Sequence, residues 1–366
     1  MAIERILILR FSSLGDIVMT TPMIRCLRNQ FPRAQIDMVV REDFLDLIKN
    51  NPRLNQKKGL ARGEGLQGLL ELRRWIQSQN YDVIYDAHRS LRTFFLMPFL
   101  KAPQKFYFKK HYLKRSLALT FKLPLLKHFG RFLERYITPL HPLGVSYDGK
   151  GPELFIDDLV VQHTQERFLS GLAKPRIIDA LAVQHTQERF LSGLAKPRIT
   201  VGLIPSAQWQ GKRWPLNYFR ELIEKMIIDT PYHFILFGGP ADIFCQALAE
   251  NIPSERLTNL QGRCSIAESG ALLADCAFVI ANDTGLMHMA DALGKPSILF
   301  LGPTSKESGC LPFHPQSIVL ERNLWCRPCS KNGQALCIRK ERYCLTEITP
   351  QMAFESVIKL GQALNL

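Results

Sequence analysis

Short apolar runs alternate with helical stretches along most of the chain, and several of those runs end in Gly, Asp or Ser just before a helix starts. This alternation is the pattern of an α/β fold on parallel sheet, because strands returning in the same direction need a crossover helix between them. The strand candidates are 5–9, 36–40 and 82–86 in the first half, and 199–204, 233–237, 278–281 and 297–301 in the second. Two such sets in 366 residues predict two doubly wound domains facing across a cleft, with ligands bound beyond the carboxyl ends of the strands.

A repeat separates the two sets. VQHTQERFLSGLAKPRI occupies 161–177 and recurs without a mismatch at 183–199. Two copies are too few for a solenoid. The second leads straight into the strand at 199, so the first reads as a tandem duplication with no function of its own. The expected organisation is one Rossmann-like domain over 1–160, a duplicated linker over 161–199, a second Rossmann-like domain over 200–349 and a terminal helix over 350–366. That helix is read from Met352, Phe354, Val357, Ile358, Leu360 and Leu364, which follow Pro350 at helical spacing.

Hydrophobic residues make up 46% of the chain, enough for two cores. No apolar run reaches the roughly 18 residues of a membrane span. The apolar start at 3–9 lacks the longer hydrophobic region and cleavage site of a signal peptide and reads as a buried first strand, so a cytoplasmic protein is expected. The formal net charge of +14 is unevenly placed: residues 101–135 hold ten Lys or Arg and one acid, Glu134. Aromatic and basic side chains interleave there (Phe106, Tyr107, Phe108, Lys109, Lys110, Tyr112, Lys114, Arg115). Such a stretch suits nucleic acid, an anionic membrane or a phosphorylated glycolipid, and its plain alternative is a solvated face.

Four motifs carry chemistry. Arg10-Phe-Ser-Ser-Leu-Gly-Asp16 follows the first strand. Ser12, Ser13 and Gly15 suit a turn offering backbone N–H groups to an anion, and Asp16 can accept a proton from an attacking hydroxyl or simply cap the helix. Pro205-Ser206-Ala207-Gln208-Trp-Gln-Gly-Lys212-Arg-Trp214-Pro215 places Lys212 beside a helix N-terminus, a natural site for phosphate. Asn282-Asp283-Thr284-Gly285-Leu-Met-His288 again opens a helix at a strand end, with His288 one turn beyond Thr284. Phe237-Gly-Gly-Pro-Ala-Asp242 admits close approach of a ligand at its glycines, and Asp242 can accept ribose hydroxyls.

The nine cysteines in a chain without an export signal do not suggest disulfides. Cys326, Cys329, Cys337 and Cys344 could together hold a structural zinc, with reduced thiols or disulfides as alternatives.

Taken together, SSLGD at 12–16, GKRWP at 211–215 and NDTGLMH at 282–288 resemble the bacterial ADP-heptose:lipopolysaccharide heptosyltransferases, with support from 260–280 and 292–304. The resemblance implies a GT-B fold of two Rossmann-like domains, with ADP-heptose held by the second and acceptor by the first. It implies that Asp16 is the catalytic carboxylate and that Ser206, Gln208, Lys212, Asp242, Asp283, Thr284, Gly285 and His288 bind the donor. Gln208 and Ala207 stand where some members carry hydroxyl side chains, and Arg10 replaces a frequent lysine. The implied reaction is a single inverting displacement that needs no metal cofactor. Ser12, Ser13, Gly15, Lys109, Lys110, Lys114 and Arg115 are then the expected acceptor-binding residues, at the cytoplasmic face of the inner membrane and with no nucleic-acid partner. The competing readings are a GT-B transferase using another nucleotide sugar and, from a different class, a basic nucleic-acid-binding protein.

Overall fold

The computed structural model describes residues 2–121, 130–169, 199–306, 310–330 and 332–366. Met1–Phe155 with Ser305–Leu311 form one compact unit, and Ile156–Thr304 with Pro312–Leu366 form the other.

The first unit is a parallel five-stranded sheet of β1 (Arg5–Leu9), β2 (Gln35–Arg41), β3 (Lys57–Leu60), β4 (Val83–Asp86) and β5 (Gln104–Tyr107) in the order β3-β2-β1-β4-β5. Its helices are α1 (Leu14–Val18), α2 (Thr21–Gln30), α3 (Asp46–Lys49), α4 (Gly65–Ser78), α5 (Leu91–Leu96), α6 (Tyr112–Phe121) and α7 (Phe132–Ile137). The inner strands are apolar almost without interruption, as parallel strands covered on both faces must be. Leu7, Leu9, Val39 and Ile84 meet Leu72 and Ile76, the inward stripe of α4, in one core.

The second unit opens with α8 (Asp158–Leu169) and contains β6 (Thr200–Ile204), α9 (Leu216–Asp229), β7 (His233–Leu236), β8 (Leu257–Asn259), α10 (Ile266–Asp275), β9 (Phe278–Asn282), α11 (Gly285–Ala292), β10 (Ser297–Leu301), β11 (Ile318–Glu321), α12 (Tyr343–Thr346) and α13 (Pro350–Ala363). Its six parallel strands run β11-β10-β9-β6-β7-β8. Counted from the first strand of each unit, the orders are 3-2-1-4-5 and 3-2-1-4-5-6, the doubly wound arrangement. In both, the strand order reverses between the first and fourth strands, β1/β4 and β6/β9, and that switch point is where such sheets take ligands.

α13 starts where Pro350 was expected to start it. The Thr349 hydroxyl accepts from the Met352 N–H, and Ala353, Val357 and Leu360 pack into the sheet core. The segment expected as a linker is in part helical: residues 161–169 lie in α8, packed on α10. Thr164 is buried, Gln165 donates to Asp275 at 2.9 Å, and Arg167 pairs with Glu268 at 2.6 Å. The copy expected to have no function of its own therefore supplies this packing; its end and most of the second copy fall outside the described residues.

Candidate active site

At the β1/β4 switch point, β1 is in register with both neighbours, so Leu9 lies level with Val39 and Asp86. The chain therefore leaves the sheet at Arg10. The Arg10 guanidinium is buried, where it donates to the Ala87 carbonyl at 2.7 Å, lies over the Tyr136 ring at 5.6 Å and pairs with Asp16 at 2.6 Å. Only 6% of the arginine side chain is exposed, against 34% of Asp16. Asp16 also caps α1: the Ser13 hydroxyl donates to it at 2.8 Å and the Ser13 N–H at 3.4 Å. The helix cap and the candidate functional carboxylate are thus one group. Because Ser13 donates both its protons to Asp16, it orients that residue rather than offering an N–H to an incoming anion. Ser12 and Gly15 flank it in the same turn.

The β4 end supplies a residue that the motifs did not reveal. Asp86 accepts from the His88 and Arg89 N–H groups at 3.0 and 2.7 Å, which folds the chain back. His88 Nδ1 then accepts from the Phe11 N–H at 3.3 Å. Burial first, and then the cations Arg10 and Lys110, push the His88 pKa down to about 3. A neutral ring with Nδ1 accepting carries its proton on Nε2 and presents a donor in the neighbourhood of Asp16. A His two residues past the end of an apolar strand is the signal that could have found it. Lys110 donates to the Arg89 carbonyl at 2.8 Å, Lys109 and Lys114 are exposed, and the side chain of Arg115 lies outside the described residues.

At the β6/β9 switch point, Asn282 fastens the two motif loops together. Its side-chain oxygen accepts from the Trp214 N–H at 3.0 Å and its amide donates to the Pro205 carbonyl at 2.7 Å, both in the interior. Trp214 is locked by an indole hydrogen bond to the Ile348 carbonyl at 2.8 Å and by stacking on Phe300 at 4.1 Å. This fixes the short helical turn that carries Lys212. Lys212 pairs with Asp283 at 2.7 Å, and Thr304 donates to the same carboxylate oxygen at 3.1 Å. Here the exposures are 16% for the lysine and 8% for the acid. Burial works to raise the Asp283 pKa, but Lys212 and then His288 outweigh it and hold it below the ordinary carboxylate value. Thr284 stands at the N-cap of α11 with Gly285 as its first residue, and His288 is buried in that helix.

The remaining expected donor residues are less closely gathered. Ser206 is buried beyond β6 and Gln208 is exposed. Asp242 accepts from the Gly239 N–H at 2.8 Å and lies 3.7 Å from Arg213, whose guanidinium donates to the Ala207 carbonyl and covers Phe244.

The four clustered cysteines are close enough for Cys329, Cys337 and Cys326 to act electrostatically on Cys344. Cys326 and Cys344 are buried, while Cys337 is exposed with its thiol turned to the Glu341 carbonyl. Burial, reinforced by the other three thiols, raises the Cys344 pKa to about 11. Among the described residues no three His, Cys, Asp or Glu are grouped to hold a metal ion.

Two doubly wound parallel-sheet units, each with a charged pair at its switch point, have the architecture of the GT-B class. The family model described as glycosyltransferase family 9 (heptosyltransferase) matches residues 69–338. The chain belongs to this family. Lipooligosaccharide heptosyltransferase 2 of Haemophilus influenzae is 26% identical, covering 97% of this chain and 99% of its own. Lipopolysaccharide heptosyltransferase 2 of Escherichia coli is 24% identical, with 83% and 84% covered. Among solved structures, a family 9 glycosyltransferase from Veillonella parvula superposes with a TM-score of 0.76 at 22% identity, covering 98% of this chain and 97% of its own. E. coli ADP-heptose lipopolysaccharide heptosyltransferase II gives 0.72 at 20%, with 99% and 100% covered. These likenesses establish the two-domain fold.

Proposed function

We propose that this glycosyltransferase moves heptose from ADP-heptose onto the inner core of lipopolysaccharide, by a single inverting displacement at the cytoplasmic face of the inner membrane. The observation that carries the reading is the placement of the two charged pairs: Arg10–Asp16 beyond β1 and Lys212–Asp283 beyond β6. The names of the relatives and the ADP bound in a solved E. coli heptosyltransferase support the donor class.

In this mechanism Asp16 takes the proton of an acceptor hydroxyl as its oxygen attacks the anomeric carbon. The neutral His88 donates to an acceptor oxygen and helps orient it. The bond to the ADP β-phosphate oxygen breaks, and negative charge grows on the leaving diphosphate. Lys212, the Thr284 hydroxyl and the N–H groups opening α11 stabilise that charge, which gives the cationic work to residues of the chain rather than to a metal. Asp283, a buried carboxylate, would repel a diphosphate at close range. It acts through Lys212, holding the ammonium group at the sheet end. Asp242 and Ser206 serve the ribose side of the donor, and Lys109, Lys110, Lys114 and Arg115 the anionic acceptor.

An assay of the purified protein with ADP-heptose and a panel of truncated lipopolysaccharide acceptors tests the reading. Transfer to one inner-core acceptor is expected. Turnover with a UDP-sugar but none with ADP-heptose would reject it.

A further inference from the structure

α5 and the 3-10 turn that continues it (Met97–Phe99) are apolar on two opposite sides. Thr93, Leu96, Met97 and Leu100 are buried in the first unit. On the other side, Leu91, Phe94, Phe95 and Phe99 are left between 58% and 77% exposed. Their spacing of i, i+3, i+4 and i+8 places them on one stripe, and the rings of Phe94 and Phe95 touch edge to face. An element apolar on both sides ordinarily lies in an interior. A large apolar strip in water marks a contact surface.

The charge around the stripe says what contacts it. From 87 to 133 the chain holds eleven Lys or Arg and no Asp or Glu. Arg89 covers the Tyr107 ring, Lys110 lies over Tyr112 and donates to the Arg89 carbonyl, and Arg73 covers Phe99. The loops leading into α5 and α6 are therefore tied together, and cations and aromatic rings frame the stripe. Leu113 and Phe121 of α6 are exposed as well.

We infer that this surface docks the protein on an anionic lipid bilayer. Leu91, Phe94, Phe95 and Phe99 enter the acyl boundary while the Lys and Arg side chains meet the headgroup phosphates. Single-stranded nucleic acid would satisfy the cations and stack on the phenylalanines, but it offers Leu91 and Leu113 nothing. A second copy of the chain would set like charge against like charge. The stripe begins just after the His88 turn, so docking brings the bilayer to the part of the unit that carries Asp16. The benefit to catalysis rests on the proposed lipid-linked acceptor, but the docking itself is measured without turnover.

Cosedimentation of the full chain with phosphatidylglycerol/phosphatidylethanolamine vesicles tests this. Wild type is expected to pellet with them, and raised salt should weaken the association without abolishing it, because the apolar part is unscreened. The variant L91Q/F94Q/F95Q should lower the partition coefficient at least about tenfold, with ADP affinity and melting temperature unchanged. Phe94→Trp, left otherwise native, should gain fluorescence that brominated lipid quenches. Equal sedimentation of wild type and triple variant, or no quenching of the added tryptophan, overturns the inference. So does a triple variant that loses RNA binding or self-association while still pelleting with vesicles. Docking without any heptose transfer would reject the enzymatic reading alone. Transfer to a soluble delipidated acceptor, with docking lost only in the triple variant, keeps both.

Discussion

The two switch points are built from the same parts with the polarity reversed. Beyond β1 the cation is covered and the carboxylate reaches solvent; beyond β6 the carboxylate is covered and the ammonium is the outer partner. An ion pair at a sheet end is therefore not one kind of site. In the proposed reaction the outer member meets the substrate, and the inner member keeps it charged and aimed. An outward carboxylate suits taking a proton from a hydroxyl, whereas an outward ammonium suits holding a phosphate. The inner partners also differ in kind. Arg10 spreads its charge over a carbonyl, a ring and Asp16, while Asp283 depends on Lys212 and Thr304.

The largest expected effect breaks the outward acid. Asp16→Asn should lower kcat by about 10²–10⁴-fold, the usual range for losing a general base. It also leaves Arg10 buried without its counter-charge, so the melting temperature should fall. Arg10→Met combined with Asp16→Asn should recover the stability, since replacing a covered pair by apolar groups is often tolerated, yet recover no activity. If the double variant regains turnover, Asp16 is structural and not the base.

Breaking the outward cation comes next. Lys212→Ala removes a charge-assisted contact of about 1.5–3 kcal/mol, so titration calorimetry should show ADP binding weakened by roughly 10–100-fold. The contrast between the two ends sharpens if Asp16→Asn leaves that ADP affinity where it was. Equal ADP affinity in wild type and Lys212→Ala would place the lysine outside the donor site.

A smaller effect comes from the neutral ring beside Asp16. The His88 pKa is down at about 3 when folded, against about 6.5 unfolded. Its contribution to stability is therefore complete above about pH 6.5 and is lost progressively as the pH falls toward 3. Between pH 6.5 and 5 the loss is at most about 2 kcal/mol. His88→Gln keeps an acceptor for the Phe11 N–H and cannot be protonated, so its melting temperature should decline less steeply over that interval. Parallel curves for the two proteins would mean that His88 titrates as it does in water.

The control touches neither switch point. Deleting 161–182 joins Val160 to Val183 and restores the same sequence in the same frame, with Gln187 and Arg189 taking the places of Gln165 and Arg167 beside Asp275 and Glu268. Activity should be unchanged and the melting temperature should move by less than about 2 °C. Loss of folding would show that the duplicated segment has become part of the structure.

The fold was legible where strands are covered on both faces. All seven strands expected from apolar runs are present, and the four not expected (β3, β5, β8 and β11) are the outermost strands of their sheets. Sequences such as KKGL and QKFY show why: an edge strand half-facing water carries little of the apolar continuity that marks an inner one. Of the site, the loops were legible because Gly, Ser and Asp punctuate them. The pairing of Arg10 with Asp16 and of Lys212 with Asp283 was not, because each depends on how side chains settle around a turn. Asn282 stood in plain view inside a motif, but its role needs two partners 68 and 77 residues away.

That same Asn282 sets a limit on how the protein can drift over generations. Exchange for aspartate needs a single base change and leaves size and shape almost untouched. Most substitution scales would count it among the mildest. Here it would turn a donor into an acceptor and press oxygen against the Pro205 carbonyl across the 2.7 Å that a shared proton now spans. The gentlest change in volume becomes one of the harshest in the site, so a mutational library sorted for folding should return asparagine at 282 and reject its closest isostere.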